Sequence, residues 1–362
     1  MTRLLAQPDR QPELTPRQWE IAIGQAGNAQ LLGRLAQHHL KRGWLDAVPN
    51  GPRMHLQSGL KFVDRLQTEL RWELDCIRRA LIGIPTPVVL LKGAAYFEAN
   101  LPPRQGRLFG DIDILVERSQ LAAVEQALFA AGWISAERDP YNQRYYRQWM
   151  HEIPPLMHVL RGTSIDVHHS ITPPTSAMAV DSALLLPQIR PAAAGSAFHV
   201  LAPVDMVLHS AVHLFQEGEF EHGLRDLLDL RDLLLHFGSG ANAEPDFWPV
   251  LLRRSHELGL TVALHHALFH IGRLFGPMVP PEQAEALAAL RPAWPARTAM
   301  AALLGQALRP PHPACDSRAA QLARALLYLR AHALRMPLHL VLPHLVRKAW
   351  MRKFPDAKAA VN

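Results

Sequence analysis

With 362 residues, 49% of them hydrophobic and 19% charged, the chain has the make-up of a globular protein large enough for two or three structural units. Its net charge of +6 allows anionic partners without choosing among nucleotide, nucleic acid and lipid headgroup. Cys76 and Cys315 form no metal-ligand spacing and suit a reducing cytoplasm. The N-terminus lacks the apolar core of a signal peptide, and no run reaches the roughly 18 apolar residues of a membrane span.

Residues 1–12 are polar and broken by Pro8 and Pro12, the composition of a disordered lead. Thr15-Pro16 reads as an N-cap followed by proline at the first helical position. Helical patterning then runs from Arg17 to Leu45, with Gly24, Gly27 and Gly33 predicting a break. After the turn cluster Pro49-Asn50-Gly51-Pro52, apolar residues from Leu56 to Leu81 recur at helical spacing, predicting one long helix over 54–82. Pro85-Thr86-Pro87 stops it and launches an apolar run, Val88 to Leu91, that ends in the turn Lys92-Gly93 and a helix start at Ala94.

The run Gly110-Asp111-Ile112-Asp113-Ile114-Leu115-Val116 reads as a second strand. Alternate residues of a strand share a side, so Asp111 and Asp113 project together while Ile112 and Ile114 are buried opposite. Ser119 is the expected cap of a helix carrying Leu121, Val124 and Leu128, closed by Gly132. A polar, aromatic segment, Tyr141 to Trp149, reads more readily as packing than as a platform for a base. Leu156 to Leu160 and Ser164 to His169 form a hairpin around Arg161-Gly162-Thr163, which brings Asp166 inward as a third carboxylate. Residues 173–203 read as loops and short pieces, and from Val204 the chain is helical almost to its end. Three units follow: a helical region over 1–84, a strand-bearing core over 85–203 and a helical region over 204–362. The fold class is α+β, with a small mixed sheet between helical flanks.

Carboxylates held side by side repel one another unless a cation relieves them, and oxygen ligands select Mg²⁺ or Mn²⁺. On this reading Asp113→Asn leaves the fold intact, or stabilises the metal-free protein, while abolishing catalysis.

The pattern Leu91-Lys92-Gly93, Arg107-x-x-Gly110-Asp111-Ile112-Asp113 and Ile165-Asp166-Val167-His168 resembles the nucleotidyltransferase superfamily of DNA polymerase beta. Within it, the chain is most similar to an uncharacterised bacterial nucleotidyltransferase family. The resemblance covers about residues 85–200 and extends more weakly into the helices beyond; it departs from the superfamily in having Gly93-Ala94 at the turn, where Gly-Ser or Gly-Gly is usual. It implies that Asp111, Asp113 and Asp166 bind metal and carry catalysis. Lys92, Gly93, Ala94, Arg107 and Gly110 are then the expected nucleotide-binding residues. The implied activity is Mg²⁺-dependent transfer of a nucleotidyl group from a nucleoside triphosphate to an unidentified acceptor. The alternative is a non-catalytic member of the fold that acts as a regulatory or antitoxin-like partner.

His209-x-x-x-His213 and His266-x-x-x-His270 put histidine pairs on helix faces, but neither carries the intervening glutamate of a zinc-protease motif. Packing accounts for them more simply than metal. Arg225 and Asp229 have the spacing of a helix-surface ion pair. Residues 334–354 mix Leu338, Leu342 and Trp350 with Arg347, Lys348 and Arg352, a basic amphipathic pattern able to touch an anionic membrane surface or to dock on the parent protein.

Overall fold

The computed structural model describes residues 4, 5, 13–135, 137–216, 218–336, 339, 341, 347 and 350. The chain divides into two compact units, each assembled from separate stretches. One comprises residues 1–72, 96–109 and 203–328; the other comprises 73–95, 110–202 and 329–362.

The first unit is helical. Helix α1 (Pro16–Asn28) opens on a capping box: the Gln18 amide donates to the Thr15 hydroxyl and the Thr15 amide to the Gln18 side chain at 2.8 Å. The chain breaks at residues 29–31 and resumes in α2 (Leu32–Lys41). Gly33 is therefore not the breaker. A Cβ there would lie 2.6 Å from the Gly106 carbonyl oxygen, so this glycine exists for close packing. The long helix α3 (Asn50–Ala80) buries Leu56, Val63 and Leu70 along its stripe in this unit. Helices α7 (Pro203–Gln216), α8 (Gly223–Gly238), α9 (Phe247–Glu257) and α10 (Thr261–Phe275) follow the expected order. Trp19, Leu31, Leu35, Leu56, Leu224 and Leu228 share one core cluster.

The second unit holds a seven-stranded mixed sheet. Its strands are β1 (Val89–Leu90), β2 (Ile112–Leu115), β3 (Trp133–Ser135), β4 (Leu156–His158), β5 (Ser164–His168), β6 (Arg190–Pro191) and β7 (His199–Val200), in the spatial order β3-β4-β5-β2-β1-β7-β6. The architecture is α+β. β2 runs parallel to β5 and antiparallel to β1, which lies parallel to β7. The expected hairpin is β4–β5, with Gly162 at φ +69° in its turn. β6 and β7 replace part of what reads as loop over 173–203; two-residue strands are too short to show an alternation.

Two local expectations are corrected. Ser119 does not cap a helix: its hydroxyl donates to Glu117 at 2.8 Å within a 3₁₀ turn, and α5 (Leu121–Ala130) starts without a side-chain cap. The aromatic segment is helix α6 (Pro140–Trp149), capped by Asp139, which accepts from the Tyr141 amide at 2.8 Å. Its Tyr145 is buried in a cluster with Met150, Met336 and Val341, flanked by Tyr141, Tyr146 and Trp149, which is packing.

Most of the expected basic amphipathic stretch over 334–354, like most of residues 1–12, lies outside the described residues. Within it, Arg347 pairs with Asp139 at 2.6 Å and sits 4.5 Å over the Tyr141 ring. No helix among the described residues is long and apolar enough to cross a membrane.

Candidate active site

The register of β2 against β5 assembles the acids. Asp113 is the Cα partner of Asp166, and Ile112, Ile114 and Leu115 pair with Ile165, Val167 and His168. Partners across a ladder share a face, so Asp113, Asp166 and His168 project together while Ile114 and Val167 are buried on the other side. Asp111 lies in the bend just before β2 and is exposed. One carboxylate oxygen from each of Asp111, Asp113 and Asp166 lies within 4.8 Å of the others.

Asp113 is 4% exposed and has two hydrogen-bonding neighbours. Lys92 Nζ and His168 Nε2 each stand 3.0 Å from its Oδ1. Burial pushes this carboxyl upward, but Lys92 and the hydrogen bond from His168 outweigh it and hold it well below the usual carboxylate range. Burial likewise pulls His168 down, and Asp113 and Glu152 more than reverse this, leaving its imidazole above its ordinary value. The repulsion expected of side-by-side carboxylates is thus already eased at Asp113 by Lys92 and His168.

Asp166 is different. Its Oδ1 is buried without a hydrogen-bond partner. Burial, reinforced by Asp113, Glu152 and Asp111, pushes its carboxyl up to about 7. A buried, unpartnered carboxylate oxygen in a cluster of hard donors fits a divalent cation better than it fits an empty fold.

Lys92 joins β1 to α4 (Lys92–Glu98) and has φ +45°, a left-handed conformation uncommon for a side-chain-bearing residue. It is not a solvent-facing strand-end lysine, being only 19% exposed at its side chain. Gly93 and Ala94 lie in the first turn of α4. Gly110, exposed ahead of Asp111, has open space where a Cβ would stand.

Arg107 belongs to the helical unit, where it pairs with Asp229 and, at 3.9 Å, with Asp226; burial lowers its guanidinium to about 10. Its charge is committed to those acids. Asp229 in turn pairs with Arg34 at 3.3 Å, so the expected surface pair with Arg225 does not form; Arg225 sits on Asp226 at 2.8 Å. His209 is buried with its ring 6.3 Å from that of His213, and His266 and His270 pack around Phe215. Neither pair joins a three-residue metal-type cluster among the described residues.

Residues 15–276 match the family described as an uncharacterised nucleotidyltransferase. The chain belongs to that family. No curated protein and no solved structure matches it. Membership of a nucleotidyltransferase family supports a transferase, and the acid cluster on β2 and β5 is where such a protein could hold metal.

His151 and Glu152 escape a reading by motif. Together with His168 they form a second group whose donor atoms lie within 4.8 Å of one another. The signal was faint: a His-Glu pair before Pro154-Pro155 becomes informative only once the hairpin register is known.

Proposed function

We propose that the protein transfers a nucleotidyl group from a nucleoside triphosphate to a hydroxyl-bearing acceptor by a two-metal mechanism, with Asp111, Asp113 and Asp166 holding Mg²⁺ or Mn²⁺. The observation that carries the reading is the buried, unpartnered Oδ1 of Asp166 beside its in-register partner Asp113, within a nucleotidyltransferase family. Bound divalent ions would neutralise triphosphate charge and stabilise the departing pyrophosphate. Asp166, besides adding an oxygen ligand, is the group placed to take the acceptor hydroxyl's proton. His168 orients Asp113 through its 3.0 Å hydrogen bond. Gly93 and Ala94 offer backbone amides to phosphate oxygens, Gly110 leaves room beside Asp111, and Lys92 supplies a cation that can turn from Asp113 toward phosphate. Arg107 is left out of this set because of its buried ion pairs. Its two free cysteines suit a reducing cytoplasm.

The same Lys92–Asp113 pair favours a second reading, a non-catalytic member of the fold acting as a regulatory partner, since it already neutralises the most buried acid of the cluster. A panel of nucleoside triphosphates and candidate acceptors, with mass spectrometry of the products, separates the two. Mg²⁺-dependent nucleotidylated product, absent with Asp166→Asn, supports the enzyme. No product, together with no nucleotide-dependent rise in melting temperature, leaves the non-catalytic reading.

A further inference from the structure

A hairpin irregularity builds a second cluster beside the acids. Leu156 pairs with Ile165 and Met157 with Ser164, a register that extrapolates to Ile153 opposite His168. The residue found opposite His168 is instead Glu152. One extra residue therefore lies on the β4 side, between Glu152 and Leu156, where Pro154-Pro155 interrupts the ladder as a bulge. Beyond it the pairing is regular again. The Ile153 amide donates to the Val167 carbonyl at 3.0 Å and the His169 amide to the His151 carbonyl at 2.8 Å. These bonds make Glu152 and His168 a non-hydrogen-bonded pair, the kind whose side chains approach most closely. The bulge thereby turns Glu152 onto the face of Asp113, Asp166 and His168, and leaves Ile153 1% exposed in the core.

His151, Glu152 and His168 converge there. His168 Nδ1 lies 3.4 Å from Glu152 Oε2, and the His151 and His168 rings are 5.1 Å apart, centroid to centroid. The opposite nitrogen, Nε2, bonds Asp113. A histidine whose one nitrogen is held by a carboxylate while the other faces further donors has the orientation of a metal ligand. Two imidazoles and one carboxylate suit a borderline transition ion such as Zn²⁺ rather than Mg²⁺.

We propose that His151, Glu152 and His168 form a transition-metal site, distinct from the aspartate cluster and linked to it by the His168–Asp113 hydrogen bond. Three protein ligands leave coordination positions for water or a substrate group. The site stands on its own geometry and does not depend on the nucleotidyl-transfer reading. Its consequence for the neighbouring acids is that the ion fixes the proton of His168 on Nε2, toward Asp113.

The test is titration of the chelator-treated full chain with Co²⁺ in excess Mg²⁺, followed by visible absorption. The expected result is the absorption of a nitrogen-ligated, low-coordinate Co²⁺, quenched by Zn²⁺ and retained in Asp111→Asn. Binding weakens about tenfold or more in His151→Ala and in Glu152→Gln. Glu152→Gln keeps side-chain size and decides the matter if His151→Ala does not fold. Absence of the absorption overturns the proposal. So does absorption that Mg²⁺ competes away, or a Co²⁺ affinity that is unchanged in Glu152→Gln, since the ion would then sit on the aspartates or elsewhere. A positive result stands even if no nucleotidyl transfer is found.

Discussion

Both compact units bury carboxylates against cations, and they do so to different ends. In the helical unit Asp229 meets Arg34 and Arg107, Asp226 meets Arg107 and Arg225, and Asp205 accepts two bonds from Arg254. Each acid there faces a guanidinium. In the sheet unit four carboxylates, Asp111, Asp113, Glu152 and Asp166, gather around Lys92 and His168, both of which stand 3.0 Å from Asp113, with His168 also 3.4 Å from Glu152. The first arrangement is saturated and the second is short of positive charge. Saturated buried pairs serve the fold, whereas an unmatched buried acid is costly and is kept where chemistry uses it.

The sharpest way to break this comparison is Asp113→Asn. It removes the anion that Lys92 and His168 share, so it should lose nucleotidyl transfer to background and also lower stability by about 2–4 kcal/mol. The second outcome reverses the expectation drawn from carboxylate repulsion alone. Chemical denaturation of parent and variant checks it; an unchanged or raised midpoint would mean that those ion pairs contribute nothing.

Asp229→Asn is the counterpart in the helical unit. Leaving Arg34 and Arg107 short of an anion should cost about 2–3 kcal/mol. Transfer rate and KM per folded molecule should remain those of the parent, because these acids hold structure. A selective rise in KM for the nucleotide would instead return Arg107 to the substrate.

Asp166→Asn should act in the opposite direction on stability. An acid raised to about 7 in the folded state takes up protons on folding. Its penalty is absent below its unfolded value near 4, grows between there and pH 7, and is complete above. The metal-free variant should therefore match the parent at pH 4 and exceed it by about 1–3 kcal/mol at pH 8, while losing transfer. Melting curves across that pH range check the crossover, and Mg²⁺ should narrow the gap by stabilising the parent alone.

The smallest effect sharpens the comparison from outside. Arg147 makes a bidentate pair with Glu125 at 2.6 and 2.9 Å on the surface. Arg147→Ala should move stability by no more than about 0.5–1 kcal/mol despite that geometry, because solvent screens it. Denaturant midpoints suffice to measure it.

Strong alternation and clean punctuation made most of the fold legible. The Thr15-Pro16 start, the stripe of α3 and the β4–β5 turn at Gly162 all appear at or near their expected places. Asp113 and Asp166 were legible because a period of two is a local rule and the apolar flanks named both strands; Asp111, expected on the same strand, joins them from the bend just before it. The rest was settled by distances no local rule reaches. Arg107 sits four residues before Asp111 in sequence, yet its charge is taken by acids more than a hundred residues later. Glu152 reaches the site through a bulge, and a single inserted residue inverts the face on which every neighbour would be placed. Strands β6 and β7 exist through their pairing, β7 on β1 and β6 on β7, since two residues carry no preference of their own.

Lys92 has one more consequence. An ammonium tethered beside a carboxylate competes with whatever cation would replace it, and a short tether sets its effective concentration in the millimolar range or above. A divalent ion arriving alone must displace that lysine, whereas one arriving with a triphosphate brings anionic oxygens to which the freed ammonium can move. On the proposed reading, occupancy of the aspartates is thereby coupled to occupancy by nucleotide. Metal affinity measured without nucleotide should be correspondingly weak and should strengthen in Lys92→Met, while the same substitution weakens binding of the metal–nucleotide pair.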